Sequence, residues 1–232
     1  MHFSGLAERV SEVRARIAES AQRGGHGQAV RLIAVTKTHG ADAVVAAAAA
    51  GITDVGENKV QEATQKQDGL SAAGTMPDGL RWHLIGHLQT NKVKALSRFA
   101  LFHALDRSRL ADEAAGVATK SGSTIDVLVQ VNVAREDSKG GYEVTELPRE
   151  AARLMDLPSL RVRGVMTMAP LEANEAMLRQ VFGGARAALA VLRGAGHAAT
   201  ELSMGMSGDY EVAVEEGATL VRLGTVLFGT RS

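Results

Sequence analysis

One lysine stands where an apolar segment of the chain ends. The stretch LIAVTKTHG, residues 32–40, places Lys37 just after the apolar run that ends at Val35. Partial burial at the end of a strand favours the neutral form of an amine, and a neutral amine can attack an aldehyde to form a Schiff base. The simpler alternative for a lysine in this position is a charge in contact with water.

Two later segments combine glycines with hydroxyl groups. In ELSMGMSGDYEVAVEEG a strand-like run ends at Ser203, and Ser207 precedes a helix-like run; RLGTVLFG adds Gly224 and Thr225. Backbone N–H groups at the start of a helix attract phosphate. Taken singly, Ser207 could be a helix N-cap and Gly224 a bend. Taken together with Lys37, these segments indicate a ligand with an aldehyde and a phosphate, either pyridoxal 5'-phosphate or a sugar phosphate.

These residues are positioned by alternating strand-like and helix-like segments. The strand-like segments are RLIAVT, ITDVG, WHLIG, LFHAL, IDVLVQVNV, LRVRGVM, ATELSM and TLVRLG. The helix-like stretches between and after them are 41–50, 58–67, 90–97, 107–119, 144–156, 172–193 and 208–216. Eight such alternations predict an α/β protein, a (β/α)8 TIM-type barrel of parallel strands. A doubly wound open sheet is the alternative.

An extra helix precedes the first strand. Leu6, Val10, Val13 and Ile17 recur at helical spacing, so we predict an N-terminal helix over about residues 4–22. The chain has no Pro/Gly linker long enough to separate two domains, and we expect residues 1–232 to form a single domain. Residues 68–79, DGLSAAGTMPDG, are predicted to form a surface loop.

In a TIM-type barrel, ligands bind at the C-terminal ends of the strands, on the loops that follow them. The predicted strand ends therefore supply the candidate site residues. These are Lys37, Glu57, Asn58, His87, Gln89, Asn132, Met166, Met168, Ser203, Gly224 and Thr225.

Composition excludes several classes of function. The 26 basic and 26 acidic side chains give a formal net charge of zero, which gives no electrostatic reason to expect nucleic acid or an anionic membrane as a partner. The absence of cysteine excludes disulfides, thiolate metal sites and a cysteine nucleophile. The N-terminus lacks the apolar core of a signal peptide, and no apolar run is long enough to span a membrane, so we expect a cytoplasmic protein. The histidines and carboxylates lack metal-ligand spacing, and we predict no metal.

Five segments occur in the order typical of one family. AVTK, VGENKVQE, WHLIGHLQTNK, LSMGMSGD and VRLGTVLFG resemble the motifs of the YggS/PROSC family of pyridoxal phosphate homeostasis proteins, and the similarity covers nearly the whole chain. The resemblance implies a barrel like the N-terminal domain of alanine racemases. It also implies that pyridoxal 5'-phosphate is held as a Schiff base on Lys37.

The same resemblance implies where the phosphate group of the cofactor binds. Ser203, Gly224 and Thr225 match the family's phosphate positions, and backbone groups near Met204 and Gly205 are expected to contribute.

The resemblance also assigns residues to the cofactor ring. Arg222 matches the arginine that approaches the pyridine nitrogen, where a permanent positive charge disfavours protonation of the ring; alternatively it is a structural arginine paired with a carboxylate. Asn58 and His83 lie in shared motifs and either face the cofactor or bond only to the protein. Met166 and Met168 either pack against the ring or fill the core.

Alanine racemases obtain a second base, a tyrosine, from a separate β-rich domain. The present sequence ends about where the eighth unit closes, so we expect no such domain; its two tyrosines fall in a predicted loop and a predicted helix. We therefore expect a monomer that buffers or delivers pyridoxal phosphate, with PLP-dependent apoenzymes as recipients and little or no turnover. The alternatives are a PLP-dependent racemase or related amino-acid enzyme, and a Schiff-base lyase acting on a sugar phosphate.

Overall fold

Eight parallel strands close into a barrel in the order in which they follow one another along the chain. The structure is a computed structural model that describes residues 3–136 and 140–229. The last strand pairs with the first, with Arg222 opposite Ile33, and this pairing completes the ring. The strands are β1 Arg31–Val35, β2 Asp54–Glu57, β3 Arg81–Leu84, β4 Leu101–Leu105, β5 Ile125–Gln130, β6 Leu160–Met166, β7 Glu201–Ser203 and β8 Leu220–Leu223. The predicted (β/α)8 barrel is confirmed, and the alternative of an open sheet is wrong.

Helices cover the outside of the barrel. They are α1 Leu6–Gly24, α2 Ala41–Ala49, α3 Val60–Ala72, a 3₁₀ helix Thr90–Arg98, α4 Ser108–Lys120, α5 Leu147–Leu154, α6 Glu175–Gly194, α7 Tyr210–Glu215 and α8 Thr225–Phe228. In the described part of the chain, no helix combines the length and the apolar character needed to cross a membrane.

Two helical elements, α3 and α8, differ most from the sequence prediction. α3 continues to Ala72, so the first residues of the predicted loop 68–79 are helical; Leu70 is 4% exposed and packs into the core, which holds the helix through Gly69. The single turn α8 was not predicted, because its glycine and threonine were assigned to a loop.

The predicted N-terminal helix is present as α1. Its predicted apolar face is buried, as the low exposure of Leu6, Val10, Val13 and Ile17 shows. The Arg9 Nε donates to the Leu227 carbonyl over 2.6 Å, so α1 is attached to the end of the last barrel unit.

The interior of the barrel is unusually polar. Asp54, His83, His103, Ser203 and Arg222 come from five different strands, and each is 5% exposed or less. They contact one another, which is possible only if all of them point inward. The apolar core lies instead largely between the strands and the helices, where Phe102, Phe182, Leu110 and Leu192 are among the fully buried side chains.

The contact between β6 and β7 requires a glycine. A Cβ added to Gly164 would lie 1.9 Å from the Glu201 carbonyl oxygen, so we expect Gly164→Ala to lower the free energy of unfolding by about 2–3 kcal/mol. Urea denaturation measures this change. The matched control is Gly116→Ala in α4, where an added Cβ meets nothing within 4 Å and helix propensity predicts a gain of about 1 kcal/mol. Equal effects of the two alanines would contradict the close contact.

Candidate functional site

The site begins at the C-terminal end of β1, where Lys37 lies. Ile33 is paired with the inward-facing Arg222, and because strand side chains alternate, Val35 and Lys37 are expected to point to the same side. Lys37 is partly exposed, and among the described residues its ammonium has no hydrogen-bond or ion-pair partner. Its amine is therefore available at the mouth of the barrel.

Asn58 follows β2 at the same mouth and is partly exposed. It continues the alternation of Asp54 and Gly56, so its side chain is expected on the inner side. A Cβ added to Gly86, after β3, would lie 2.3 Å from the Asn58 carbonyl oxygen. This tight contact between two successive loops fixes the position of Asn58.

A chain of hydrogen bonds crosses the barrel interior below the mouth. Arg222 Nη1 lies 2.7 Å from Ser203 Oγ, and Ser203 Oγ lies 2.8 Å from His103 Nδ1. His103 Nε2 is 2.9 Å from His83 Nδ1, and His83 Nε2 is 2.9 Å from Asp54 Oδ1. We call these five side chains the interior relay. Arg222 Nη2 also donates to the Thr167 carbonyl over 3.0 Å.

Each hydrogen bond in the interior relay has a defined donor and acceptor. The Asp54 carboxylate can only accept, so His83 carries its proton on Nε2. A neutral His83 must then accept at Nδ1 from His103, and a neutral His103 must accept at Nδ1 from the Ser203 hydroxyl. The Ser203 oxygen in turn accepts from Arg222. The relay thus donates in one direction, from the guanidinium to the carboxylate.

The charges in the relay follow from burial and hydrogen bonding. Burial lowers the pKa of both His83 and His103, so both stay neutral, although the Asp54 carboxylate partly opposes the shift at His83. Burial alone would raise the pKa of Asp54, but hydrogen bonds from His83, Arg81 and Thr53 outweigh it and hold that pKa below its usual range. Burial lowers the pKa of Arg222 to about 10, which leaves the guanidinium charged at neutral pH.

The loops after β7 and β8 meet at a convergence of backbone donors. The backbone N–H groups of Gly224 and Val226 both point to Ser207 Oγ, each over 3.3 Å. Ser207 is therefore not the N-cap of the following helix, as the sequence allowed; α7 begins after Asp209. Two N–H groups that share one acceptor oxygen form the kind of anion-binding arrangement that a phosphate needs.

Four further predicted site residues lie in the segments that follow β7 and β8. Gly224 and the exposed Thr225 lie at the start of α8. The Met204 N–H is bonded to Leu220, and the Gly205 carbonyl to the Arg222 N–H. Gly205 has a φ of 93°, and an added Cβ would lie 2.7 Å from Ala213, so only glycine fits there.

Three predicted contacts lie deeper than the mouth. The Ser203 hydroxyl is fully buried and already bonded to Arg222 and His103, which favours a role in holding the arginine; a phosphate contact of Ser203 stays a prediction. Both ring nitrogens of His83 are engaged, which supports the hydrogen-bonded core histidine over a direct cofactor contact. Met166 is 1% exposed and paired with Ser203 at the end of β6.

His103 and Asp54 are not among the site residues predicted from the sequence. Each stands in a short strand-like segment among apolar residues, in LFHAL and ITDVG, and a polar residue in such a segment is the signal that could have found them. Within residues 3–136 and 140–229, no three His, Asp or Glu side chains group so as to hold a metal ion.

The residues present fit an aldehyde that also carries a phosphate and a ring nitrogen. Within the described residues, the Lys37 amine just after β1 has no partner, the Arg222 guanidinium is buried on the adjacent β8, and N–H groups of Gly224 and Val226 converge at the start of α8. These three donors match the three polar ends of pyridoxal 5'-phosphate.

Comparisons with known proteins agree with this chemistry. A profile of the family described as "Alanine racemase, N-terminal domain" matches residues 9–232. Proteins named "Pyridoxal phosphate homeostasis protein" from Aquifex aeolicus and Pseudomonas aeruginosa are each 41% identical to this chain, over 227 and 231 residues. The alignments cover 97% and 99% of this chain and 97% of each relative. The chain belongs to the pyridoxal phosphate homeostasis protein family.

Solved structures support the membership of this homeostasis family. PipY of Synechococcus elongatus, solved with PLP bound, is 38% identical with a TM-score of 0.84, and the match covers 97% of this chain and 100% of PipY. Alanine racemase from Corynebacterium glutamicum has a TM-score of 0.73 at 17% identity, covering 99% of this chain and 62% of the racemase. At that identity the likeness concerns the fold alone. The resemblance inferred from the five sequence motifs is confirmed.

The interior relay predicts a pH dependence of stability. Because His83 and His103 have folded-state pKa values below the ordinary value of 6.5, they bind protons only in the unfolded chain as the pH falls below 6.5. Stability is thus present above that pH and lost below it, by up to about 1.4 kcal/mol per pH unit per histidine. Urea denaturation between about pH 7 and pH 5 should give a shallower slope for His103→Gln than for the native protein.

The control for this measurement is Phe102→Leu, a buried change on the same strand that removes no titratable group. It should lower stability equally at every pH. A slope in His103→Gln as steep as the native slope would contradict the buried neutral histidine.

Proposed function

We propose that this homeostasis-family protein binds pyridoxal 5'-phosphate at the mouth of the barrel and holds it on Lys37 for buffering or delivery, with little or no turnover. The proposal rests on the Lys37 amine, which has no hydrogen-bond or ion-pair partner among the described residues. This amine lies at the same end of the barrel as Arg222 and the segment that begins at Gly224. The bound PLP in the related PipY structure supports it.

The proposal gives each group one task. The cofactor supplies an aldehyde carbon that a primary amine attacks with loss of water. Lys37 would provide that amine, and Asn58 would line the mouth beside it. Backbone N–H groups around Gly224 and Thr225 would hold the phosphate, with Ser207 adding a hydroxyl.

Arg222 would hold the ring nitrogen without a proton. It donates hydrogen bonds to two neutral oxygens, Ser203 Oγ and the Thr167 carbonyl, and the negative charge of Asp209 favours its charged form. A charged guanidinium disfavours a proton on the ring, and an unprotonated ring is a poorer electron sink. The arginine therefore supports binding over carbanion chemistry.

The tyrosines also support low turnover. The sequence contains only Tyr142 and Tyr210, and both are buried. Tyr142 donates to Glu150 over 2.8 Å, and burial raises the pKa of its hydroxyl. Neither tyrosine is available as a second base for racemisation.

One observation favours the alternative, a PLP-dependent racemase or related amino-acid enzyme. His87, in the loop after β3, is 63% exposed, and its Nδ1 lies 2.8 Å from Asp106 Oδ2. Arg107 bonds the other oxygen of Asp106 and the Leu88 carbonyl, so the pair is oriented. An oriented imidazole at the mouth could exchange a proton with a bound amino acid.

Further parts of the proposal concern the setting of the protein. We propose that residues 1–232 form a single domain, that the protein is a cytoplasmic monomer, and that PLP-dependent apoenzymes receive the cofactor. The zero net charge speaks against nucleic acid or anionic membrane as partners.

Reductive trapping tests the covalent attachment. After incubation with pyridoxal 5'-phosphate and borohydride, peptide mass spectrometry should find the cofactor on the peptide containing Lys37, because that amine is free and at the mouth. Lys37→Ala should carry none and remain colourless. The control Lys94→Ala, an exposed lysine on the 3₁₀ helix, should be labelled like the native chain. Equal colour in Lys37→Ala would refute the site.

Exchange of the amino-acid α-proton in deuterated water separates carrier from enzyme. We expect NMR to find no exchange beyond that caused by free pyridoxal phosphate, because neither tyrosine is available as a second base. Fast exchange that is lost in both Lys37→Ala and His87→Ala would favour the racemase-like alternative and defeat the carrier proposal.

A further inference from the structure

Lys66 is a buried lysine for which the proposed binding chemistry has no use. It belongs to α3, is 7% exposed, and directs its ammonium at three oxygens. These are the Thr36 carbonyl at 2.8 Å, Glu57 Oε1 at 2.6 Å and Glu62 Oε1 at 3.0 Å. An ammonium has three protons, so each has an acceptor.

The same network forms hydrogen bonds to the residues on both sides of Lys37. Before it, the Thr36 hydroxyl donates to Glu57 Oε1 over 2.6 Å, and the Thr36 carbonyl accepts from Lys66. After it, the Thr38 backbone N–H donates to the Glu62 carboxylate. Lys37 is thus bracketed by two residues that are bonded to α3 and to the end of β2.

The backbone immediately after Lys37 is strained. Thr38 has a φ of 67°, a conformation that is rare for β-branched residues because of steric conflict at the Cβ. Such strain persists only where the surroundings impose it. The bond from the Thr38 N–H to Glu62, and the turn bond from the His39 N–H to the Thr36 carbonyl over 3.1 Å, are the contacts that impose it.

Stability alone does not explain this network. A buried ion pair is generally no more stabilising than apolar side chains of the same volume, because both charges lose their hydration. Glu57 is fully buried, and none of the described residues forms a hydrogen bond with its Oε2. The network therefore costs desolvation energy and leaves one carboxylate oxygen without a hydrogen bond from the described residues, which calls for an explanation other than stability. Holding a functional residue in place is such an explanation.

We propose that Lys66, with Glu57 and Glu62, positions Lys37: the network fixes the backbone on both sides of this residue so that its amine is presented to the mouth of the barrel. Lys66 is a positioning residue and does not itself react. This inference rests on the proposed attachment of pyridoxal phosphate to Lys37.

The main test removes both buried charges together. In Lys66→Met/Glu57→Gln the two buried charges are replaced by neutral side chains, and the partly exposed Glu62 keeps the bond from the Thr38 N–H, so the protein should fold. The Thr36 carbonyl keeps its bond from the His39 N–H but loses the Lys66 ammonium as a donor. We expect covalent attachment of pyridoxal 5'-phosphate, quenched with borohydride and read on the Lys37 peptide, to slow by about tenfold or more. Affinity for pyridoxine 5'-phosphate, which has no aldehyde, should stay within about twofold of native, because its binding does not need the amine.

A second test uses the strain at Thr38. Glu62→Gln keeps the size of the side chain but weakens the bond to the Thr38 N–H, and should also slow attachment. Adding Thr38→Gly should restore most of the rate, because glycine adopts positive φ without cost. A Glu62 that served only the ion pair with Lys66 would not be rescued by that glycine. The control is Asp68→Asn, which lies on α3 like Glu62 and breaks the exposed pair between α3 and Arg98 of the 3₁₀ helix; this variant should attach at the native rate.

Backbone hydrogen exchange tests the positioning without any cofactor. The amides of residues 36–39 should exchange about tenfold faster in Lys66→Met/Glu57→Gln than in the native chain. If the native protein attaches no cofactor to Lys37, the proposed function fails, and exchange still decides whether the network holds this segment. Native attachment rates and native exchange in the double variant would overturn the inference. So would equal losses of attachment and of pyridoxine 5'-phosphate affinity, which would indicate general damage to the site.

Discussion

Eight strands close around a polar interior, and this closure dictates how the buried polar side chains must be arranged. A closed ring leaves little water inside, so polar side chains placed there must satisfy one another. The interior relay meets this demand with neutral histidines between a charged arginine and a charged aspartate, at distances of 2.7–2.9 Å. Because the direction of each hydrogen bond is fixed, the interior relay holds Arg222 in a single orientation.

The two ends of the barrel use charge differently. At the N-terminal end, Asp54 is bonded to Arg81 over 2.7 Å and lies 3.9 Å from Arg31, which pairs with Glu201 over 2.6 Å. These charges compensate one another and stabilise the barrel floor. At the C-terminal end, the Lys37 amine has no such partner within the described residues. A barrel that binds ligands at its C-terminal mouth is expected to concentrate uncompensated groups there.

Two lysines of the same region illustrate how burial separates structural from reactive roles. Lys66 is buried and every proton of its ammonium is engaged, so it is held as a charged donor. Lys37 is partly exposed, and its amine has no partner in the described part of the chain, so it is open to a ligand. The two are linked through Thr36, whose hydroxyl and carbonyl both belong to the network. The proposed reactivity of Lys37 would therefore depend on the fixed position of Lys66.

Three features were predictable from the amino-acid sequence because they follow from local hydrophobic periodicity: the alternation of strands and helices, the N-terminal helix, and the position of Lys37 after a strand. The sequence motifs also identified the family. Other features became evident only in the folded chain: His103 and Asp54 continue the contacts of Ser203, Ser207 reaches the start of α8, and Lys66 bonds the segment around Lys37. These contacts join residues far apart in the chain, and they arise because closing the barrel brings together strand ends whose separation no local pattern records.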